Sequence, residues 1–360
     1  MIELQKVTRE YPGLKAVDDL SFTVSKGEFC VLIGPSGCGK STTLRMINRL
    51  VLPTSGSILI EGVDIRKSRP EELRRGIGYV IQSVGLFPHM TVNANITVVP
   101  RLLKWSAARM DQRADELLEL FGLDPAEYRD KYPRQLSGGE AQRVGVARAL
   151  AADPPILLMD EPFGAIDPIT RETLQIEFAR IQKDLKKTII FVTHDIDEAI
   201  RLAGRIVILK EGRLVQYDTP ENIMTRPADR FVTEFIGTDR ALKRLSRIPV
   251  KQHIRAASSV RADTPLSDLP NKGAGERFMW VTDGRGILLG WVETGGVTCG
   301  EGTASAIMTR LKHSSAAVMG DSTLKEALSR MVQQGIRSAP VVDSKGLLEG
   351  EIRLEDILEA

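Results

Sequence analysis

The chain has 360 residues, of which 42% are apolar and 27% charged, ordinary globular values that exclude a fibrous or largely disordered protein. Forty-nine basic against 47 acidic residues leave a net charge of +2, too even a balance for a nucleic-acid-coating surface. The longest apolar runs, such as Ile156–Met159 and Thr188–Thr193, fall short of the ~20 residues that span a bilayer. The start of the chain lacks the basic-then-apolar pattern of a secretory leader, and the scattered Cys30, Cys38 and Cys299 fit reduced thiols in a cytosolic protein.

At ~150 residues per domain, two or three units are expected. In chain order, short apolar runs predict strands at Ile2–Thr8, Val17–Val24 and Phe29–Ile33. Gly34-Pro35-Ser36-Gly37-Cys38-Gly39-Lys40-Ser41 follows at once and fits G-x-x-x-x-G-K-[ST], with a helical pattern over Thr42–Leu50 behind it. Glycines let the loop curl so that its N–H groups point at phosphate oxygens, and the helix adds the positive end of its dipole. Lys40 supplies a point charge for the β- and γ-phosphates, and the Ser41 hydroxyl is a hard donor suited to Mg²⁺.

Further strands are expected at Ser57–Ile60 and Gly78–Ile81. From about 90 to 150 strand signals vanish, and Ser106–Phe121 reads as an amphipathic helix. This stretch is taken as a helical subdomain inserted into the α/β body. Ile156–Met159 is continuously apolar, as is Phe29–Ile33, the pattern of a strand buried on both faces. It ends in Asp160-Glu161, whose side chains point to opposite faces. Asp160 is placed to hold Mg²⁺ through water, and Glu161 to act as general base on the attacking water. Thr188–Val192 leads to His194 at the C-terminal end of a parallel strand, placed to meet the γ-phosphate. Ile206–Leu209 and Leu214–Tyr217 complete the strands of an α/β unit of about 235 residues.

Between Arg240 and Arg261 there are seven basic residues and no acid. The stretch 238–254 is read as a basic linker, and its charge either as a solvated linker or helix face or as a contact with anionic lipid headgroups. The remaining residues contain a repeat. Asp283-x-x-Gly286-x-x-x-Gly290 recurs as Asp343-x-x-Gly346-x-x-x-Gly350, with matching apolar neighbours. Two such units bury each other's faces, which predicts a second domain, 255–302 followed by 303–360.

Leu136-Ser137-Gly138-Gly139-Glu140 resembles the signature motif of ABC-family ATPases. Gly34–Ser41 and Ile156–Glu161 then resemble their Walker A and Walker B motifs, Gln82 their Q-loop, His194 their switch histidine and Gly164-Ala165-Ile166-Asp167 their D-loop. Tyr11 stands where an aromatic stacks on adenine, and Gln82 joins Ser41 and Asp160 around Mg²⁺. The resemblance covers about residues 1–235, with its parts in family order. It implies a P-loop ATPase with a largely parallel sheet, an antiparallel β part and a helical insertion. It also implies that Ser137, Gly138, Gly139 and Glu140 cap ATP held by a second copy in a head-to-tail dimer. Glu140 replaces the family's more usual Gln, and Ile166 its usual Leu.

Residues 77–105 resemble the ATPase subunits of osmoprotectant importers, which take up quaternary amines such as glycine betaine, carnitine and choline. The tail resembles a tandem CBS pair of α+β type, whose first unit departs from the pattern. Arg353 stands where nucleotide-binding CBS units often carry a hydroxyl, although Asp356 remains, and the first unit has Glu293 and Gly296 at the matching places. The implied partners are integral-membrane permease subunits, meeting apolar residues after Gln82, and through them an extracytoplasmic substrate-binding protein. The implied location is the cytoplasmic face of the inner membrane. Another imported solute, an amino acid or polyamine, and a nucleotide-sensing regulatory ATPase are the alternative readings.

Overall fold

The computed structural model describes the chain except residues 83–84, 165–170, 172–174, 176–177, 179–186, 238, 270–277, 294–301 and 311–315. It divides into two compact units, Met1–Thr238 and Asp239–Ala360.

The first unit is built on a six-stranded sheet in the order Arg213–Asp218, Arg205–Lys210, Phe29–Ile33, Thr188–Val192, Ile156–Asp160, Ile77–Val80. The last five run parallel, and only the hairpin partner Arg213–Asp218 is antiparallel. Period-two alternation sorts each inner strand onto two cores. Val31, Ile33, Leu157, Met159, Ile189 and Phe191 face one cluster. Cys30, Leu32, Ile156, Leu158, Ile190 and Val192 face the other. Burial on both faces is why these runs are unbroken by polar residues.

A second, antiparallel sheet joins Leu14–Val24, Ile2–Tyr11, Ser55–Ile60 and Val63–Asp64. Its first two strands run farther than the apolar pattern predicts, because Tyr11 pairs with Leu14 across a tight turn at Gly13, φ 76°. Ladder hydrogen bonds hold these exposed ends, and hydrophobic patterning does not register them.

From Val92 to Leu150 every described element is helical. The Ala107–Leu120 helix begins where Ser106 Oγ accepts the Arg109 N–H at 3.4 Å and stops before Gly122, φ 65°. It buries Ala114, Leu117 and Leu118, one stripe at helical spacing.

In the second unit the repeated motif is a repeated hairpin. Phe278–Thr282 pairs with Leu288–Glu293, and Ser338–Val342 with Leu348–Arg353. Asp283 Oδ1 accepts N–H groups of Arg285 and Ile287, each at 2.8 Å, and Asp343 Oδ1 does the same for Lys345 and Leu347. This explains the shared Asp-x-x-Gly spacing. The two turns meet through an Ile287–Leu347 bridge. Buried Glu351 also ties the repeats together, accepting Trp280 Nε1–H at 2.9 Å and Arg353 Nε–H at 2.6 Å.

The reading of 238–254 as a linker is corrected here. Arg240–Leu245 is a helix, and Leu245 and Val250 lie in the core with Leu324, Ala327 and Met331. Val250 N–H reaches Ser322 O at 2.8 Å, and Lys251 N–H reaches Gly320 O at 3.0 Å. Lys243 is buried against Asp239 at 3.2 Å. The run of positive charge masked a few apolar anchors whose partners lie 74 to 86 positions away. Arg255 forms an ion pair with Asp356, and Asp356 also accepts the Arg353 backbone N–H at 3.0 Å.

Candidate functional site

Four neighbouring parallel strands end on one edge of the central sheet. Gly34 follows Phe29–Ile33, His194 follows Thr188–Val192, Asp160 closes Ile156–Asp160, and Gln82 follows Ile77–Val80. Sheet order therefore gathers residues spread over about 160 positions.

They meet around an open cleft of about 550 Å³. It is lined by the loop and helix start from Ser36 to Thr42, by Tyr11, Leu14 and Ala16, and by Gln82, Glu161 and His194. The loop demands its glycines: Gly39, at φ 100°, would place a Cβ 2.4 Å from Ala16 O. Buried Lys40 donates to Gly34 O at 2.7 Å and Pro35 O at 3.0 Å, and its Nζ lies 3.6 Å from Cys38 Sγ. The ammonium thus satisfies loop carbonyls while staying beside the cleft. Helix Lys40–Ile47 starts here and points its N-terminal N–H groups the same way.

Ser41 Oγ donates to Asp160 Oδ1 at 2.8 Å. Burial pushes the Asp160 carboxyl above the usual carboxylate range, while the Ser41 bond opposes that shift. A buried carboxylate beside a hydroxyl is a hard-oxygen pair that fits Mg²⁺, the ion implied by the resemblance. Glu161 adopts φ 47°, a strained conformation for a non-glycine residue. Its N–H is held by Val192 O at 2.9 Å. Gln82 Nε2 donates to Glu161 Oε2 at 3.0 Å, and His194 Nδ1 lies 3.3 Å from Oε1. The strain and both contacts aim this carboxylate into the cleft. Elsewhere in the lining, the exposed Tyr11 ring has the Arg9 guanidinium 4.4 Å from its centroid.

Ser137, Gly138, Gly139 and Glu140 are not among the residues lining this cleft. Ser137 caps the Gly138–Leu150 helix, in which Glu140 Oε2 accepts the Ser137 N–H at 2.7 Å. Asp167, Ile166, Gly296 and Cys299 lie outside the described residues.

Sequence reasoning missed Leu14 and Ala16, which carry no chemistry of their own. It also missed a buried network behind His194. Glu198, in the Ile196–Leu202 helix, accepts from Gln175 Nε2 at 2.9 Å, and Arg201 donates to Gln175 Oε1 at 3.3 Å. No sequence signal singled Glu198 out, since it reads as one more acid beside Asp195 and Asp197. Burial pushes its carboxyl up to about 7, against hydrogen bonds from Thr193 and Gln175. The folded state therefore holds this proton more tightly than the unfolded chain, and stability falls as pH rises from the ordinary carboxylate range through 7. Glu198→Gln should match wild type in urea unfolding near pH 5 and gain on it by about 1–3 kcal/mol by pH 8. A pH-independent difference would show that the carboxyl is not held protonated.

Fold and cleft together define a P-loop nucleotide-binding cassette. The ABC transporter family model matches residues 17–164, and the CBS domain model matches residues 304–360. The glycine betaine/carnitine/choline transport ATP-binding protein OpuCA of Bacillus subtilis is 46% identical over 364 residues, covering 100% of this chain and 96% of that protein. The glycine betaine uptake system ATP-binding protein YehX of Escherichia coli is 44% identical over 359 residues, covering 99% of each. Among solved structures, the dimeric ADP- and Pi-bound post-hydrolysis state of the ATP-binding cassette MJ0796 aligns with a TM-score of 0.56 and 34% identity, covering 61% of this chain and 99% of that one. The chain belongs to the ABC transporter family, among the ATP-binding subunits that couple ATP hydrolysis to transport. No helix among the described residues is long and apolar enough to cross a membrane.

Proposed function

We propose that this chain is the ATP-hydrolysing subunit of an importer for quaternary-amine osmoprotectants, bound to permease subunits on the cytoplasmic face of the membrane. An extracytoplasmic binding protein delivers the solute to the permease. The observation that carries the reading is the cleft itself, with the glycine loop, Lys40, the Ser41–Asp160 pair, Glu161 and His194 on one sheet edge. The full-length likeness to importer subunits whose names specify such solutes supports the substrate class.

In this reading Tyr11 stacks on adenine, and the loop from Gly34 through Thr42 binds the phosphates, with Lys40 neutralising β- and γ-oxygens. Ser41, Asp160 and Gln82 hold Mg²⁺, which screens charge on the phosphate oxygens when bound. Glu161 takes a proton from a water whose oxygen bonds to the γ-phosphorus as the bond to the ADP oxygen breaks. His194 donates to the γ-phosphate, and its contact with Glu161 links base to phosphate. Ser137, Gly138 and Gly139 cap the ATP of a second copy with a helix N-terminus. ATP then closes a two-ATP dimer, closure moves the permease, and hydrolysis reopens it.

Co-purification from native membranes tests this reading. A permease whose uptake is competed by betaine supports it. A permease indifferent to betaine overturns the substrate class, and the absence of any membrane partner favours a regulatory ATPase.

We further propose that exposed Arg244 and Lys251 touch anionic lipid. Three other basic residues of the stretch already have acidic partners: Lys243 with Asp239, Arg255 with Asp356 and Arg261 with Asp263. Such a contact weakens as the Debye length falls from ~30 Å at 0.01 M to ~8 Å at 0.15 M salt. Arg244→Glu with Lys251→Glu should then flatten the salt dependence of ATPase activity in anionic vesicles. An unchanged salt curve would remove lipid from the list of partners.

A further inference from the structure

The acid at position 140 is an electrostatic problem for the signature segment. The Gly138–Leu150 helix leaves its first N–H groups without intrahelical acceptors, and these are the donors a phosphate would use. Glu140 sits in the same turn with a full negative charge. An unrestrained carboxylate there competes with phosphate for those donors and repels it.

Both carboxylate oxygens are engaged. Oε2 accepts the Ser137 N–H at 2.7 Å, while Ser137 Oγ accepts the Glu140 N–H at 3.3 Å. The Tyr128 hydroxyl donates to Oε1 at 2.6 Å. Tyr128 is itself braced. It ends the Pro125–Tyr128 turn, which Asp124 caps by accepting the Ala126 N–H at 2.9 Å. Lys131 Nζ lies 3.9 Å from the Tyr128 ring centroid and 2.6 Å from Glu127 Oε1.

We infer that Tyr128 is a positioning residue for the signature segment. Its hydroxyl pins Glu140 in the capping geometry, so the carboxylate serves Ser137 and leaves the Gly138 and Gly139 N–H groups to the partner copy's ATP. This deepens the proposed function and rests on its reading of residues 137–140 as the contact made in trans. The phenol keeps its proton and the carboxylate stays ionised, because their hydrogen bond raises the first group and lowers the second. A Gln at 140 caps Ser137 equally well without charge, so it has no need of Tyr128.

The test is ATP-dependent dimerisation of the full-length chain carrying Glu161→Gln, followed by sedimentation. Tyr128→Phe should weaken dimerisation by about tenfold, the scale of one charge-assisted hydrogen bond. ATP affinity of the monomer should not change. With Glu140→Gln also present, Tyr128→Phe should change dimerisation by less than about twofold. Equal losses in both backgrounds identify a packing defect and overturn the proposal, as does full dimerisation of Tyr128→Phe with Glu140 in place. Gly138→Asp separates the two levels. If it still dimerises with ATP, the in-trans reading fails. If it abolishes dimerisation while Tyr128→Phe acts alike in both backgrounds, only the positioning role falls.

Discussion

Replacing Glu161 by Gln should reduce ATP turnover by about 10²–10⁴-fold, the range set by loss of a general base, and leave ATP binding intact. The carboxylate lies between Gln82 Nε2 and His194 Nδ1, whereas the Lys40 ammonium reaches Gly34 O and Pro35 O. Glutamine preserves the side-chain shape and an oxygen acceptor for Gln82, but its amide cannot take a proton from water. Binding and hydrolysis therefore separate in this one variant. Phosphate release from the purified chain measures turnover, and nucleotide titration measures binding. Turnover within about tenfold of wild type would move the base elsewhere. Parallel loss of binding would make Glu161 a structural residue of the cleft.

Gly39→Ala should act on folding and binding together. Its φ of 100° strains any side chain, and a Cβ there meets Ala16 O at 2.4 Å and Val17 Cγ2 at 3.1 Å. Left-handed strain and backbone overpacking together cost about 2–4 kcal/mol. Relief requires the loop to move away from the Leu14–Val24 strand. That movement carries Lys40 and the start of the Lys40–Ile47 helix with it. ATP affinity should fall at least ~10-fold, since several phosphate donors shift at once. Gly37→Ala is the control for the steric part. It has φ 79° but nothing within 4 Å of the added Cβ, so it should lose only ~1 kcal/mol of stability. Equal unfolding midpoints for the two variants would refute the clash with Ala16 O.

The glycine loop was legible because its pattern is local: eight consecutive residues between an apolar strand and a helix. The acids at 160 and 161 were legible because a strand buried on both faces tolerates no polar residue until it ends. Contacts made across the chain left weaker traces. Leu245 and Val250 each looked like an isolated apolar residue in a basic stretch, since their partners Leu324, Ala327 and Met331 come much later. Glu198 looked like one more helical acid. Only burial against Gln175 separates it from exposed neighbours such as Asp197. Tyr128 lies twelve positions before Glu140, and no periodicity joins a short turn to the start of another helix.

By itself, then, the sequence determined most elements of the first unit, the glycine loop between strand and helix and, through its motifs, the ATPase family. These depend on side-chain type and on spacings of two, three and four residues, which backbone geometry converts directly into faces. The order of the parallel strands was decided only in the tertiary structure, and with it the meeting of Gln82, Glu161 and His194 over Lys40. Strand order minimises exposed apolar surface over the whole sheet, and no local window contains that sum. The strained backbone of Glu161 has the same origin. Its N–H is held by Val192 O of the neighbouring strand, and that restraint exists only once the sheet has formed.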